Sequence, residues 1–387
     1  MINNRQIDFK TVEWEDIYAS ARLSGFCPEK AAAEYHAMIQ LNSTHLKAEQ
    51  QFRNIETAID RIKNSLGGNV HCIFKRYFVS DAANQGCFLP GTDGNIAVSI
   101  VEQPPLNGSK VAVWAYFVSD CKVCKDENSG TYIAARSAYR HLYSVQLHTP
   151  LTDGKAETHA VFRNYADSLA MHNCTLKDNC IRTWIYVQGV DIHYADMAAE
   201  RRRFFGNEGL TPATHFIAST GIEGRYINPK SLILMDAYAI EGIKPAQVKY
   251  LQATAHLNPT SEYGVTFERA TSVDYGDRRH VFVSGTASIN SKGEIVHPSD
   301  VIKQTARTFE NISALLQQAE TQTGDVMQMT VYLRDIADYA VVSEYLSTHY
   351  TSTPYVLVLA SVCRPGWLVE VECMAVKTAE NSEFDKF

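Results

Sequence analysis

Hydrophobic positions along this chain change period several times, and the order of those changes repeats. Near the C-terminal end, "HVFVSGTASINSKGEIV" (280–296) predicts a hairpin of two strands, followed by a helix from about Ser299 to Ala319. That helix puts Ile302, Phe309, Ile312, Leu316 and Ala319 on one stripe. "MTVYLRD" then reads as a strand, "DYAVVSEYLSTHY" as a second helix, and "PYVLVLAS" and "WLVEVECMAV" as two closing strands. The middle of the chain gives the same succession. "HLYSVQLHTPLTDGKAE" is the hairpin, "HAVFRNYADSLAMH" a helix, "IRTWIYVQGVD" a strand, "YADMAAERRRFF" a second helix, and "THFIAST" and "LILMDAYAI" the closing strands. A worn third copy lies near the start, where Phe52, Ile55, Ile59, Ile62 and Leu66 form a helical stripe. "RYFVSD", "NIAVSIVE" and "KVAVWAYFV" supply its strands, and its second helix is nearly deleted.

A sheet with helices on one face must bury its other face. Three such modules in one chain can bury those faces against each other, which predicts an α+β pseudo-trimer with sheets inside, helices outside and clefts between modules. The boundaries read as 1–48 for an N-terminal extension, 49–135, 136–245 and 280–377 for the three modules, 246–279 for a connecting segment and 378–387 for a polar tail.

The closing strand of the third module raises a chemical question. In "ASVCRPGWLVEVE" (360–372), Val369 and Val371 alternate with Glu370 and Glu372, so two carboxylates share one sheet face. Aligning the closing strands places Ala112 and Leu234 at the position of Glu370, and Trp114 and Asp236 at that of Glu372. Two modules therefore carry apolar side chains where the third has Glu370, which suits one specialised cleft. For Glu372, solvation on the sheet face is the simpler expectation.

Composition narrows the function classes. The 387 residues have a net charge of −7, which opposes any partner bound by neutralising phosphates, so nucleic acid is not expected. The opening "MINNRQIDFK" lacks an apolar signal segment and "YVLVLASVC" is too short to span a bilayer, so a cytoplasmic protein without membrane attachment is expected. Nine cysteines, odd in number and scattered, read as reduced thiols. Cys121 with Cys124 and Cys174 with Cys180 could supply four thiolates to zinc, but the spacing is irregular and no histidine falls at ligand spacing, so no metal is expected.

Several stretches carry a family resemblance. "HVFVSGTASI", "QTARTFENISALL", "DVMQMTVYLRD" and "VEVECMAV" are similar to the Rid/YjgF superfamily, a chorismate mutase-like fold whose simple members are homotrimers with ligand sites between subunits. The resemblance implies three fused Rid/YjgF-like modules in a monomer with intramolecular pseudo-threefold symmetry, with a weak oligomer left open. Rid proteins that hydrolyse imines carry an arginine where Val356 and Thr214 stand in "TPYVLV" and "TPATHF", so enamine or imine deamination lacks its carboxylate clamp here.

"VSGTASI", "RTWIYV", "YADMAAERRRFF" with "IASTGI", and "VCRPGWLVEVE" further resemble the chorismatases, which hydrolyse the enolpyruvyl ether of chorismate. That resemblance implies Glu370 as the catalytic general acid, Arg201 as a substrate-binding arginine, and Ala287 and Cys363 as lining of the same pocket. It implies no cofactor and a small anionic dicarboxylate as substrate. Arg182 and Arg269 are further candidates for a carboxylate, and Tyr186 and Tyr263 could orient a hydroxyl or a water. Cys363 reads as a small lining thiol and not as a nucleophile. Two departures bear on the substrate: Ile185 replaces the asparagine usual in chorismatases, and "EYGVTFERA" is shorter than its counterpart, which carries an extra arginine. A non-catalytic small-molecule-binding protein on the same fold is the alternative.

Overall fold

The computed structural model describes residues 7–89, 91, 94–260 and 265–387. Its strands form three six-stranded sheets. The first contains β1 (Ile7–Trp14), β2 (Ala19–Phe26), β3 (Glu34–Leu41), β4 (Val70–Val79), β5 (Ala97–Glu102) and β6 (Val111–Ser119). The second contains β7 (Lys122–Asp126), β8 (Thr131–Arg136), β9 (Tyr139–His148), β10 (Cys180–Val187), β11 (Ala218–Glu223) and β12 (Ile233–Glu241). The third contains β13 (Val248–Leu251), β14 (Ala270–Asp274), β15 (Arg278–Ala287), β16 (Val326–Leu333), β17 (Tyr355–Leu359) and β18 (Val369–Thr378). Numbering the strands of each sheet in chain order, all three run 1-2-3-6-4-5, with strands 4 and 5 parallel and the other neighbours antiparallel.

A long helix follows the third strand of every module: α1 (Ala48–Leu66), α3 (Gly154–Ala170) and α6 (Val301–Gln318). Asp153 and Asp300 accept the orphan amides of Ala156 and Lys303, which fixes where α3 and α6 begin. The parallel pairs need a crossover. It is supplied by α5 (Val190–Asn207) and α7 (Tyr339–His349), and in the first module only by the short α2 (Ala82–Gln85). Another one-turn helix, α4 (Leu176–Asn179), leads into β10. The stripes expected on α1 and α6 are the buried faces: Phe52, Ile55, Ile59 and Ile62 pack under the first sheet, and Phe309, Ile312, Leu316 and Ala319 under the third.

The opposite faces meet at the centre, where Phe74, Trp114, Tyr143, Trp184, Tyr238 and Phe282 from all three modules share one core. Phe74 and Trp114 lie 5.0 Å apart, Trp114 and Trp184 meet edge-on at 6.3 Å, and Tyr238 and Phe282 lie 5.6 Å apart. Sheets are inside and helices outside, as expected for a fused pseudo-trimer. The modules are also tied by main chain: Leu106 N donates to Leu357 O, Glu223 N to Ser361 O, and Glu102 N to Arg225 O.

The boundaries differ from those expected. Residues within 1–48 are no appendage, because β1, β2 and β3 are half of the first sheet. β7 and β8 belong to the second sheet, and β13 and β14, within 246–279, to the third. The expected hairpin of 141–157 does not form, and that of 280–296 forms only at its tip. The outer edges of β15 and β9 are taken by β14 and β8, so the residues that follow turn away; in the third module they keep a short hairpin with an Ile289–Ile295 bridge and bonds from Asn290 N to Glu294 O and Val296 N to Ser288 O. The 378–387 tail ends on the buried Phe387, packed over His280 and beneath Arg278.

Candidate active site

β18 is an inner strand, paired with β15 on one side and β16 on the other, and both of its glutamates are buried on the sheet face. Strand register confirms the alignment of the modules. Glu370 lies opposite Tyr332, Leu234 opposite Tyr186 and Ala112 opposite Phe78, and Glu372, Asp236 and Trp114 follow two residues on.

Glu370 is 5% exposed and lies opposite Ala287 on β15. The β15 backbone bulges just before that pair, and the bulge contains Gly285. A Cβ on Gly285 would sit 2.2 Å from Glu370 Oε1, so the carboxyl occupies space that only glycine leaves free. Burial pushes the Glu370 carboxyl up to about 8, with Glu372 reinforcing the shift and Arg182 and Arg269 opposing it. An acid in this state still holds its proton at neutral pH.

Glu370 borders a cleft between the second and third modules with about 580 Å³ of empty space, its mouth included, which is within the range of small-molecule sites. The second module lines it with Tyr194 and Arg201 of α5 and Ser219 and Gly221 of β11. The third adds Ala287, Cys363 and Trp367, and Phe267 and Arg269 close it from the segment before β14. α5 is held by its own N-terminus, where the Glu223 carboxylate accepts from the amides of Gly189 and Val190.

Arg201 is 1% exposed. Its Nε donates to Thr266 Oγ1 at 3.1 Å and Nη1 to Ser219 Oγ at 3.5 Å, while Nη2 is buried with no hydrogen-bond partner among the described residues. Among the described residues no carboxylate lies within ion-pair distance of Arg201 (4.0 Å), and desolvation lowers its pKa. A buried cation without a counter-ion is costly unless an anion joins it. Arg269, also buried, donates through Nη2 to the carbonyl and side-chain oxygens of Asn258, both at 3.1 Å. Tyr194 lines the cleft beside Arg201 and Cys363, and burial holds its phenol well above its ordinary pKa. Cys363 is pushed up to about 12, chiefly by burial, which keeps it a thiol and removes it as a nucleophile.

Of the residues singled out from sequence, Glu370, Arg201, Arg269, Ala287 and Cys363 converge on this cleft. Arg182 and Tyr186 do not. Arg182 is buried and donates through Nη2 to Glu372 Oε2 at 2.7 Å and to Thr220 Oγ1 at 2.6 Å. It faces a separate cavity of about 510 Å³ at the pseudo-threefold axis, lined by Trp114, Tyr143, Trp184 and Tyr238. Tyr186 is fully buried beside Arg76, whose guanidinium lies 5.6 Å from its ring. Tyr263 lies outside the described residues.

The solvated position expected for Glu372 is also overturned. It is 1% exposed and accepts from Arg182, Thr220 and Trp184 Nε1, the last at 2.8 Å. Its counterpart Asp236 pairs with Arg76 at 3.0 Å, so both positions carry buried ion pairs that link modules. Ile185 packs in the core beneath α3 and α5, so its departure from the chorismatase pattern does not touch the cleft.

Tyr194 and Gly285 were missed from sequence. Tyr194 stands seven residues before Arg201, two helical turns away on the same face, and that spacing was readable. Gly285 lies within "VSGTASI", but its role depends on the register of β15 against β18.

Residues 270–377 match the family model described as endoribonuclease L-PSP. A RutC family protein of Pyrococcus abyssi is 37% identical over 100 residues, which cover 25% of this chain and 78% of that protein. The chain belongs to the RutC (Rid/YjgF) family. A second family relative, the 2-iminobutanoate/2-iminopropanoate deaminase of Escherichia coli, is 28% identical over 111 residues, covering 27% of this chain and 84% of its own. Over the longer span, a solved chorismatase structure superposes with a TM-score of 0.61, covering 79% of this Rid-family chain and 92% of the chorismatase. At 22% identity that likeness speaks for the fold, three Rid modules joined in one chain.

Proposed function

We propose that the cleft between the second and third modules hydrolyses the enolpyruvyl ether of chorismate or a related dicarboxylate, releasing pyruvate. The observation that carries this reading is a buried carboxyl, protonated at neutral pH, sharing one cleft with a buried arginine that has no counter-ion among the described residues. The likeness in fold to a chorismatase supports it.

An enol ether is cleaved by proton transfer to its terminal methylene carbon. Glu370 donates that proton, the electron pair of the C=C bond forms the new C–H bond, and the ether carbon becomes an oxocarbenium ion. Water adds to this carbon and returns a proton to Glu370. The resulting hemiketal breaks its C–O bond to the ring, giving pyruvate and the ring alcohol. Arg201 pairs with one substrate carboxylate by charge-assisted hydrogen bonds, and Arg269, fixed by Asn258, adds positive potential. Tyr194 steadies Arg201, and the neutral Cys363 shapes the wall. The ionised ether carbon develops its charge next to a carboxyl that has just become an anion, which stabilises it.

Imine deamination is disfavoured because Val356 is a buried β17 residue and Thr214 hydrogen-bonds to its own loop, so neither position supplies a cation. Incubating the protein with chorismate and following pyruvate tests the reading. Stoichiometric pyruvate supports the hydrolase. Binding of chorismate without turnover shows instead a non-catalytic binding protein, and turnover of 2-iminobutanoate alone shows a deaminase.

A further inference from the structure

We propose that the cleft between the third and first modules is a second, non-catalytic site that binds a small hydroxylated ring carboxylate. This cleft is the counterpart of the one bordered by Glu370. Strand register puts Ala112 where the other cleft has Glu370, and Gln40, next after Ile39 opposite Val113, where the other has Ala287. β17, with Tyr355 and Leu357, takes the place of β11 with Ser219 and Gly221. The chemistry of the Glu370 cleft is therefore absent, and no residue at these positions can act as the acid.

The space is not filled in compensation. It holds about 1300 Å³ including its opening, more than twice the volume around Glu370. It also has its own cation. Arg22 on β2 stacks over the Tyr355 ring at 4.3 Å, and its Nη1 is shielded from solvent without a hydrogen-bond partner among the described residues. Among the described residues no carboxylate lies within 4.0 Å of the Arg22 guanidinium. The cleft's single described carboxylate, Glu13, is exposed at the rim.

The remaining lining indicates what the anion carries. Gln40 donates to the Tyr355 carbonyl at 3.1 Å and accepts from Asn107 at 3.4 Å, so its amide is held in place from both ends. Ser20 donates to Asn42 at 2.9 Å, and Thr11 stands opposite Arg22 across the β1–β2 pair. A single arginine fits one carboxylate, the row of amides and hydroxyls fits hydroxyl groups, and the Tyr355 ring offers a flat wall for a small ring. The site is independent of the hydrolase reading, since it contains none of the residues that the reading uses.

Shikimate, a hydroxylated ring monocarboxylate, is the probe, titrated calorimetrically into the full chain carrying Arg201→Ala so that the Glu370 cleft loses its anion contact. The expected result is one site with a Kd of about 1 mM or tighter. Adding Arg22→Gln should raise that Kd about tenfold or more, Arg22→Lys should raise it less, and inorganic phosphate or benzoate should bind more weakly than shikimate. No binding to the Arg201→Ala chain, a Kd indifferent to Arg22→Gln, or phosphate binding as tightly as shikimate would overturn the proposal. If Arg22→Gln does not fold, crystals of the unaltered protein soaked in shikimate decide: density with its carboxylate at Arg22 supports the site, and density only beside Arg201 overturns it.

Discussion

Replacing Glu370 by glutamine should make the stability of this protein less sensitive to alkali. In the folded chain the carboxyl is pushed up to about 8 from an ordinary 4.5, chiefly by burial. Between those two values the folded state holds a proton that the unfolded chain has released, so this group's stabilising contribution is complete below about pH 4.5. It is lost progressively as pH rises towards 8. Each unit is worth about 1.4 kcal/mol, so from pH 5.5 to 9 the wild-type chain loses about 3 kcal/mol on account of this one side chain. Glu370→Gln keeps the shape in the space left by Gly285 and carries no titrating proton. Urea unfolding of both proteins at pH 5.5 and pH 9 measures the difference: the variant should gain about 3 kcal/mol on wild type between the two. Parallel pH dependence in the two proteins would show that Glu370 titrates normally, and the reasoning about its protonated state would fail.

Three further outcomes follow from the same geometry. Arg201→Ala should weaken binding of a dicarboxylate by about 2–5 kcal/mol, read by calorimetry, because the removed guanidinium is buried and pairs with no carboxylate among the described residues. Gly285→Ala should lower the turnover of an enol ether by about a hundredfold or more while the circular dichroism spectrum is unchanged, since its methyl group would displace the acid without altering it. Glu372→Gln should destabilise the fold by about 3–5 kcal/mol in a urea titration at pH 7, because it strips the buried Arg182 of its charge partner.

What could be read from the sequence follows the range of the interactions involved. Period-2 alternation in "WLVEVE" and helical stripes such as Phe52 to Ile62 are local, and they placed Glu370 on an inner sheet face and α1 against its sheet. Because the same period recurs in each module, the correspondence of Glu370 with Leu234 and Ala112 was readable before any contact was known. The partners of Arg182 were not. Glu372 lies 190 residues away in the sequence, and only the meeting of two modules brings the pair together. The first sheet was misjudged for a related reason. β1 to β3 precede the helix that served to mark the module, and nothing local in "EYHAMIQL" tells that it pairs with "VAVWAYFVS" seventy residues later. Gly285 belongs to the same class, since the close approach of a glycine to a carboxyl depends on a bulge and a register.

The central claim is that Glu370 delivers a proton to the terminal carbon of an enol ether, and running the reaction in D2O tests it most directly. Wild-type protein given chorismate in D2O should release pyruvate whose methyl group carries one newly added deuteron, and Glu370→Gln should form it about a hundredfold more slowly or worse at unchanged chorismate affinity. Pyruvate formed by the Glu370→Gln chain at the wild-type rate, or wild-type pyruvate with no deuterium in its methyl group, would contradict it.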